Sequence, residues 1–212
     1  MTVSRDAVIV WLRTFADVIA ANKGYLTQLD SAIGDADHGI NMDRGFQAVL
    51  TKLPGVADQD IGSILKTVGM TLVSTVGGAS GPLYGTFFIQ MGTVTVGKLE
   101  LTLADWMAAL GAGVEGVMRR GKANPGDKTM IDSLVPALDA LKGAAANGTS
   151  FASALRQSEQ AAHQGMLDTI PLVARKGRAS YLGERSAGHQ DPGATSSHLL
   201  LNAATEAWLK AD

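Results

Sequence analysis

"VIVWLRTFADVI", residues 8–19, decides the fold class of this chain. Its large apolar side chains recur every three or four residues or as adjacent pairs on one stripe: Val8, Trp11, Leu12, Phe15, Val18 and Ile19. That spacing is typical of one face of an α-helix, whereas a half-buried strand alternates apolar and polar residues. The same period returns at residues 46–53, 61–72, 131–141 and 199–208. The sequence therefore predicts an all-α protein.

One segment departs from the helical period. Val94, Val96, Leu99 and Leu101 alternate around Gly97–Lys98, which is locally typical of a β-hairpin. An isolated hairpin is poorly supported within a helical domain. We therefore interpret this segment as the end of a helix followed by a loop.

Composition limits the classes of function. With 46% hydrophobic and 18% charged residues, the 212 residues can bury a sizeable core, and we expect a single domain over residues 1–212. A net charge of -2 gives no general attraction to nucleic acid or to an anionic membrane. The absence of cysteine excludes disulfides and thiolate metal sites. Neither a signal pattern nor an apolar run of membrane-spanning length is evident, so we expect a cytoplasmic protein.

Most glycine and charged residues that a helical bundle does not need lie in four connections. These are "GDADHGIN" (34–41), "GGASGPLYG" (77–85), "RGKANPGDKTM" (120–130) and "ARKGRASYLGERSAGHQDPGATSS" (174–197). In a bundle of antiparallel helices every second connection lies at the same end. The four loops are therefore expected to meet at one mouth.

The first of these loops gathers carboxylates. Asp30, Asp35 and Asp37 can share one site only because Gly34 allows the helix to break between them. Three adjacent carboxylates repel one another unless a cation is present, and oxygen ligands favour Mg²⁺ or Ca²⁺. An EF-hand alignment fails. The alternative is that Asp37 or Asn41 caps the following helix while the other carboxylates are solvated, and this loop alone does not decide between the two.

The second and third loops invite phosphate-binding interpretations. In "GGASGP" the glycines permit close backbone approach, and the N–H groups at a helix start suit a phosphate, although an ordinary helix start capped by Ser80 explains the same residues. "GKANPGDKT" has one residue too many before Lys128–Thr129 for a Walker A motif, and it follows a helical pattern where that motif follows a strand. We reject the P-loop.

Arg175, Lys176 and Arg178 form a basic cluster in the fourth loop. Such a cluster is usually a solvated face. Beside a nucleotide, however, the guanidinium of Arg178 would bind phosphate oxygens in a fork that lysine cannot reproduce.

Taken in order, the four loops resemble those of the nucleotide-binding L subunits of bacterial dihydroxyacetone kinases, from the first helix to the last. The resemblance implies an eight-helix up-and-down antiparallel barrel whose loops at one end hold ADP through two Mg²⁺ ions. It implies Asp30, Asp35 and Asp37 as metal ligands and Arg178 as the catalytic residue. The nucleotide contacts that it implies are His38, Gly39, Ile40, Asn41, Ala79, Ser80, Gly121, Met130, Arg178, Asp191, Pro192 and Gly193.

The resemblance also implies partners. A K subunit would hold dihydroxyacetone, and an M subunit of the phosphotransferase system would rephosphorylate the bound ADP in place through a phosphohistidine. Two alternatives follow from the same family: a nucleotide-sensing coactivator of a transcription regulator, and an L-like subunit of a kinase for another acceptor, such as a tetrulose or a carrier-bound fatty acid.

Overall fold

The computed structural model describes residues 1–209, and within them the chain forms eight α-helices. Their bounds are α1 Arg5–Ile33, α2 His38–Lys52, α3 Ile61–Thr75, α4 Ser80–Val94, α5 Leu103–Gly121, α6 Ile131–Ala146, α7 Phe151–Asp168 and α8 Pro192–Leu209. Two 3-10 segments, Leu53–Val56 and Arg178–Ser186, lie in the connections. Because residues 210–212 lie outside the described part, the single domain over residues 1–212 stays a prediction.

The helices form a closed ring. Each packs against its neighbours in the chain, and α8 returns to pack against α1. This arrangement confirms the expected all-α, up-and-down helical bundle. The helices α1, α3, α5 and α7 end where α2, α4, α6 and α8 begin, so the loops 34–37, 76–79, 122–130 and 169–191 all lie at one end, which we call the loop end.

Three tryptophans close the opposite end of the barrel. Trp11, Trp106 and Trp208 come from α1, α5 and α8, and their ring centroids lie 4.8 to 5.5 Å apart in edge-to-face contacts. The Nε1 atoms of Trp11 and Trp208 donate hydrogen bonds to the carbonyl oxygens of Leu200 and Ala7, both at 3.0 Å. These two hydrogen bonds therefore join α1 to α8, where the ring of helices closes.

The segment after α4 contains no hairpin within residues 94–101. Helix α4 ends at Val94 and a turn follows, which confirms the interpretation as a helix end and a loop. A two-residue strand β2, Glu100–Leu101, instead pairs antiparallel with a strand β1, Val3–Ser4, at the start of the chain. The alternating residues thus do contain a short extended segment, β2. Its partner β1 lies at the start of the chain, too distant in sequence for a local pattern to reveal.

Helices α3 and α4 approach each other through glycines. A Cβ on Gly62 would lie 2.6 Å from the carbonyl oxygen of Gly92, and a Cβ on Gly69 would lie 2.6 Å from that of Gly85. No other residue type fits at these distances. Glycine therefore allows α3 and α4, the helices before and after the 76–79 loop, to pack closely along their length. Among residues 1–209 no helix combines the length and apolarity needed to cross a membrane.

Candidate functional site

The acidic loop brings three carboxylates together. Ligand oxygens of Asp30, in the last turn of α1, and of Asp35 and Asp37 lie within 4.8 Å of one another. Oδ2 of Asp30 accepts hydrogen bonds from the backbone N–H groups of Asp37 at 2.8 Å and of His38 at 3.0 Å. A Cβ on Gly34 would lie 2.0 Å from Oδ1 of Asp30, so glycine is required for the loop to pass this carboxylate.

Neither Asp37 nor Asn41 caps α2 with its side chain. Asp37 precedes α2 directly, yet within the described residues its side chain makes no capping bond, and the carboxylate of Asp30 meets the first N–H group instead. Asn41 lies inside α2, where its Oδ1 accepts a hydrogen bond from Nη2 of Arg44 at 2.6 Å. The cluster offers oxygen donors alone, which is the donor set that Mg²⁺ prefers.

A cavity of about 660 Å³ opens at the loop end, beside the carboxylates. It is large enough for a small molecule of nucleotide size. Twelve residues predicted from the sequence line it. They are Asp30, Asp35, Asp37, His38, Ala79, Ser80, Gly121, Met130, Arg178, Asp191, Pro192 and Gly193.

Three predicted nucleotide contacts do not line this cavity. Gly39 packs against α1, since a Cβ there would lie 2.1 Å from the carbonyl oxygen of Lys23. Ile40 is 45% exposed, and Asn41 is buried. The amide of Asn41 lies within about 3 Å of where a Cβ on Gly77 would stand, so it supports the glycine loop from behind. Direct contact with nucleotide stays a prediction for these three residues, as it does for the residues that line the cavity.

The cavity has one apolar wall and one polar wall. Leu83, Val117, Ala123 and Ile131 give it an apolar wall, and the acidic and glycine loops form its polar wall. Helix α4 starts at the polar wall with Ala79 as its N-cap, and Ala79 has no side-chain oxygen to satisfy the first N–H groups. Free N–H groups at a helix start attract anions.

The hydroxyl of Ser80 takes part in a buried hydrogen-bond chain. His38 Nδ1 lies 3.0 Å from Ser80 Oγ, and His38 Nε2 lies 2.9 Å from Ser196 Oγ. Ser196 donates its own hydrogen to the carbonyl of Gly193, so it accepts from Nε2–H, and Nδ1 accepts from Ser80. Burial lowers the pKa of His38 to about 4, which keeps the imidazole neutral.

Tyr84 extends this chain from α4 to α8. Its hydroxyl lies 2.7 Å from Ser196 Oγ and 3.0 Å from Ser197 Oγ, and burial raises the pKa of Tyr84 to about 12. Sequence reasoning missed Tyr84 and Ser196, although both fall inside the quoted loop motifs. Nothing in the spacing of those motifs indicates that residues 112 positions apart share a hydrogen bond.

Asp191 closes the site from the start of α8. Its Oδ2 accepts a hydrogen bond from the N–H of Ala194 at 2.7 Å, as an N-cap does. Burial raises the pKa of Asp191 to about 7. Arg178, on the segment before α8, makes an ion pair with Asp35, with Nε and Oδ2 2.6 Å apart.

Lys128 also borders the cavity, but its ammonium group is turned away from it. Nζ of Lys128 donates to backbone carbonyl oxygens of the 169–172 segment and of His189. The lysine of "GKANPGDKT" is therefore engaged inside the protein, in agreement with the rejection of a Walker A motif. Sequence reasoning did not identify this role.

Comparison with known proteins gives a consistent result. A family profile described as the DAK2 domain matches residues 32–206. The ADP-binding subunit DhaL of the PEP-dependent dihydroxyacetone kinase of Escherichia coli is 52% identical over 196 residues, covering 92% of this chain and 93% of that protein. The ADP-binding subunit DhaL of the PTS-dependent dihydroxyacetone kinase of Lactococcus lactis is 41% identical, covering 95% and 96%.

A solved structure is also similar. The dihydroxyacetone kinase from C. freundii in complex with AMP-PNP and Mg²⁺ superposes with a TM-score of 0.68 at 25% identity. The match covers 96% of this chain and 33% of that larger protein. The likeness therefore extends to almost the whole of the present barrel.

Proposed function

Because this chain belongs to the DAK2 domain family and is an ADP-binding subunit of a dihydroxyacetone kinase, we propose that it keeps ADP in the cavity at the loop end and relays phosphoryl groups through it. The observation that carries this proposal is the position of the three-carboxylate cluster beside a cavity that also borders the uncapped start of α4. A divalent cation between carboxylates and phosphates would join the two. The cavity's apolar wall suits a purine base.

Charge balance favours two Mg²⁺ ions. Asp30, Asp35 and Asp37 carry about -3 and ADP carries about -3, which repel one another. Two Mg²⁺ ions reduce the total to about -2, and Arg178 reduces it further. The Mg²⁺ ions would neutralise charge on the phosphates, while the N–H groups of Ala79 and Ser80 would orient them.

The reaction we propose has two transfers. A phosphohistidine of an M partner gives its phosphoryl group to the terminal oxygen of ADP, and the P–N bond to histidine breaks. The hydroxyl of dihydroxyacetone, held by a K partner, then attacks the γ-phosphorus, the bond to the β-phosphate oxygen breaks, and ADP is restored in place. The hydroxyl proton leaves to a base that we expect on K. Arg178 stabilises the charge on the transferred group.

The relatives differ in the phosphoryl donor and in the acceptor substrate that their names give. Relatives at 52% and 41% identity are subunits of PEP-dependent and PTS-dependent dihydroxyacetone kinases. An L-erythrulose 1-kinase of Mycolicibacterium smegmatis is 36% identical over 206 residues, but this chain spans only 35% of its length. A tetrulose acceptor is therefore the second candidate. The transcription-coactivator role has no supporting observation here and stays a prediction.

The relay is tested by the fate of the nucleotide. The protein is loaded with isotopically labelled ADP and mixed with K, M, the upstream phosphotransferase components, dihydroxyacetone and excess unlabelled ADP. We expect the label to remain on the protein over many turnovers, because metal ions and several loops hold the nucleotide. Loss of label about once per product formed would make ADP an exchanging cosubstrate and refute the relay.

A second experiment, without the partner subunits, tests whether the acceptor binds to K. The isolated chain, given ATP, Mg²⁺ and dihydroxyacetone, is expected to form no dihydroxyacetone phosphate, because the acceptor is proposed to bind to K. Turnover by the isolated chain would contradict that division of labour.

A further inference from the structure

Lys128 is a fully buried cation enclosed by backbone carbonyl groups. Its side chain is 1% exposed. Nζ donates to the carbonyl oxygens of Thr169 at 2.7 Å, Leu172 at 3.1 Å and Ile170 at 3.3 Å, and also to that of His189. A buried ammonium group is tolerated only where such acceptors replace its hydration shell.

These carbonyls belong to one stretch of chain, residues 169–191, which we call the covering segment. Thr169 and Ile170 follow the last residue of α7, so Lys128 neutralises the negative end of that helix. His189 lies at the other end of the segment, two residues before Asp191. Lys128 thus binds both ends of the segment that carries Arg178.

The other side of the contact is formed by Gly121, the last residue of α5, and the loop 122–130 that follows it, which together we call the 121–130 loop; it borders the cavity through Gly121 and Met130. Asp132 fixes the shape of this loop, with Oδ2 accepting from the N–H of Thr129 at 2.7 Å. Lys128 itself has a φ of 61°, a left-handed backbone conformation that is unfavourable for a lysine. The contacts of Nζ compensate for this unfavourable conformation.

We propose that Lys128 is a positioning residue whose ammonium group holds the covering segment against the 121–130 loop and so keeps Arg178 and Asp191 over the nucleotide. This inference rests on the proposed function, because its first readout is nucleotide release. The role differs from that of a phosphate-binding lysine, since Nζ donates its hydrogen bonds to backbone carbonyl oxygens of the covering segment. Lys128 therefore slows the dissociation of the nucleotide.

The test compares two lysines of the same loop, Lys128 and Lys122. Lys122 is exposed and also has a left-handed backbone, with a φ of 49°, so Lys122→Ala removes the same atoms from a comparable conformation. We expect Lys128→Ala to release labelled ADP at least about tenfold faster than Lys122→Ala, as expected for the loss of charge-assisted hydrogen bonds. Equal release rates in the two variants would overturn the proposal.

Chemical rescue separates positioning from general damage. Propylammonium reproduces the atoms that Lys128→Ala deletes, so it should slow ADP release in that variant at constant ionic strength. It should not do so in Lys128→Met, whose side chain fills the space. Tetramethylammonium carries the same charge but has no N–H group, and it should leave release unchanged in both variants. Equal effects of the two cations would refute the carbonyl contacts as the cause.

A measurement on the unmodified chain keeps the inference testable if the variants fail to fold. In nucleotide-free protein at pH 7, the ¹H–¹⁵N signal of the Lys128 ammonium group, assigned through its own side-chain carbons, should persist because its protons are protected from exchange. Absence of a protected lysine ammonium signal would overturn the contacts described. If the wild type binds no ADP while this signal is present, the proposed function fails and the Lys128 contacts stand.

Discussion

Nε of Arg178 lies 2.6 Å from Oδ2 of Asp35, which joins the covering segment to the acidic loop. The Arg178 side chain is 66% exposed and that of Asp35 is 38% exposed, so the pair contributes little stability by itself. A bound cation and its phosphates would compete for both partners. On the proposed function, we expect the guanidinium to exchange the carboxylate of Asp35 for a phosphate when nucleotide binds.

We expect chelation and Asp35→Asn to have the same effect on stability. Ligand at a hundredfold excess over its Kd adds about 2.7 kcal/mol, so in ADP and Mg²⁺ both EDTA and Asp35→Asn should lower Tm by about 5–10 °C. Differential scanning fluorimetry measures this. Asp17→Asn, at an exposed position of the same helix, is the control and should change Tm little. A Tm unchanged by both treatments would exclude a metal site at these carboxylates.

Arg178→Ala should slow phosphoryl transfer more than it weakens ADP retention. Charge on the transferred group is largest in the transition state, so we expect transfer to fall by about 10²-fold in the reconstituted system. Arg178→Lys should recover little, because an ammonium group lacks the planar fork of a guanidinium. Arg175→Ala is the control, as Arg175 is exposed and does not line the cavity. Parallel losses of transfer and retention would assign Arg178 to ground-state binding.

The charge of Asp191 should make stability depend on pH. Burial raises its folded-state pKa from 3.8 to about 7, with Asp132 and Asp30 adding to the shift and Lys128 opposing it. The folded state therefore keeps a proton that the unfolded state loses, and stability is lost as pH rises from about 4 to about 7, by up to ~1.4 kcal/mol per pH unit.

Asp191→Asn provides the measurement of this effect. Asparagine still caps α8 but cannot ionise. In metal-free protein, the free energy of unfolding in urea should therefore increase for the variant relative to the wild type as pH rises from 5 to 7. His38, whose pKa burial lowers to about 4, is present in both proteins, and its contribution cancels in the difference. Parallel stability profiles would show that Asp191 is ionised in the folded protein throughout this range.

Tyr181 is expected to contact a partner subunit. It is 85% exposed and borders the cavity, three residues after Arg178. Tyr181→Ala should raise the concentration of K or M needed for half-maximal transfer, without changing ADP retention, because exposed aromatic side chains often anchor protein interfaces. Leu99→Ala is the control, since Leu99 is 60% exposed and follows the far end of α4. An effect no greater than that of the control would remove Tyr181 from the interface.

The fold was predictable because its signal is local. The stripe that begins at Val8 needs only the period of a helix, and the resemblance of the four loops supplied the closed ring of eight. The strand pair between Val3–Ser4 and Glu100–Leu101 was not predictable, since each strand is two residues long and the partners are distant in sequence. The alternating valines and leucines after α4 indicated extended chain but not its partner.

The residues that line the cavity were largely predictable, but their contacts with one another were less so. The spacing of Asp30, Asp35 and Asp37 around Gly34 allowed a shared site without deciding for it, and the resemblance of the loops favoured the cluster that the structure contains. Lys128 was recognised only as part of a failed motif, because a side chain that binds backbone carbonyls leaves no mark on the residues it contacts. The same holds for Tyr84 and Ser196, which meet through tertiary packing alone.

The tryptophan cluster gives the protein a built-in optical reporter. All three tryptophans of the chain lie in it. Trp11 and Asp30 are separated by about 28 Å along the axis of α1, at about 1.5 Å per residue. We expect intrinsic fluorescence to report on the packing of this cluster, and through the contact of Trp11 with Leu200, one turn after Ser196, also on helix α8 beside the cavity. Unfolding can therefore be followed without any added label, because every tryptophan of the chain loses its edge-to-face packing when the barrel opens.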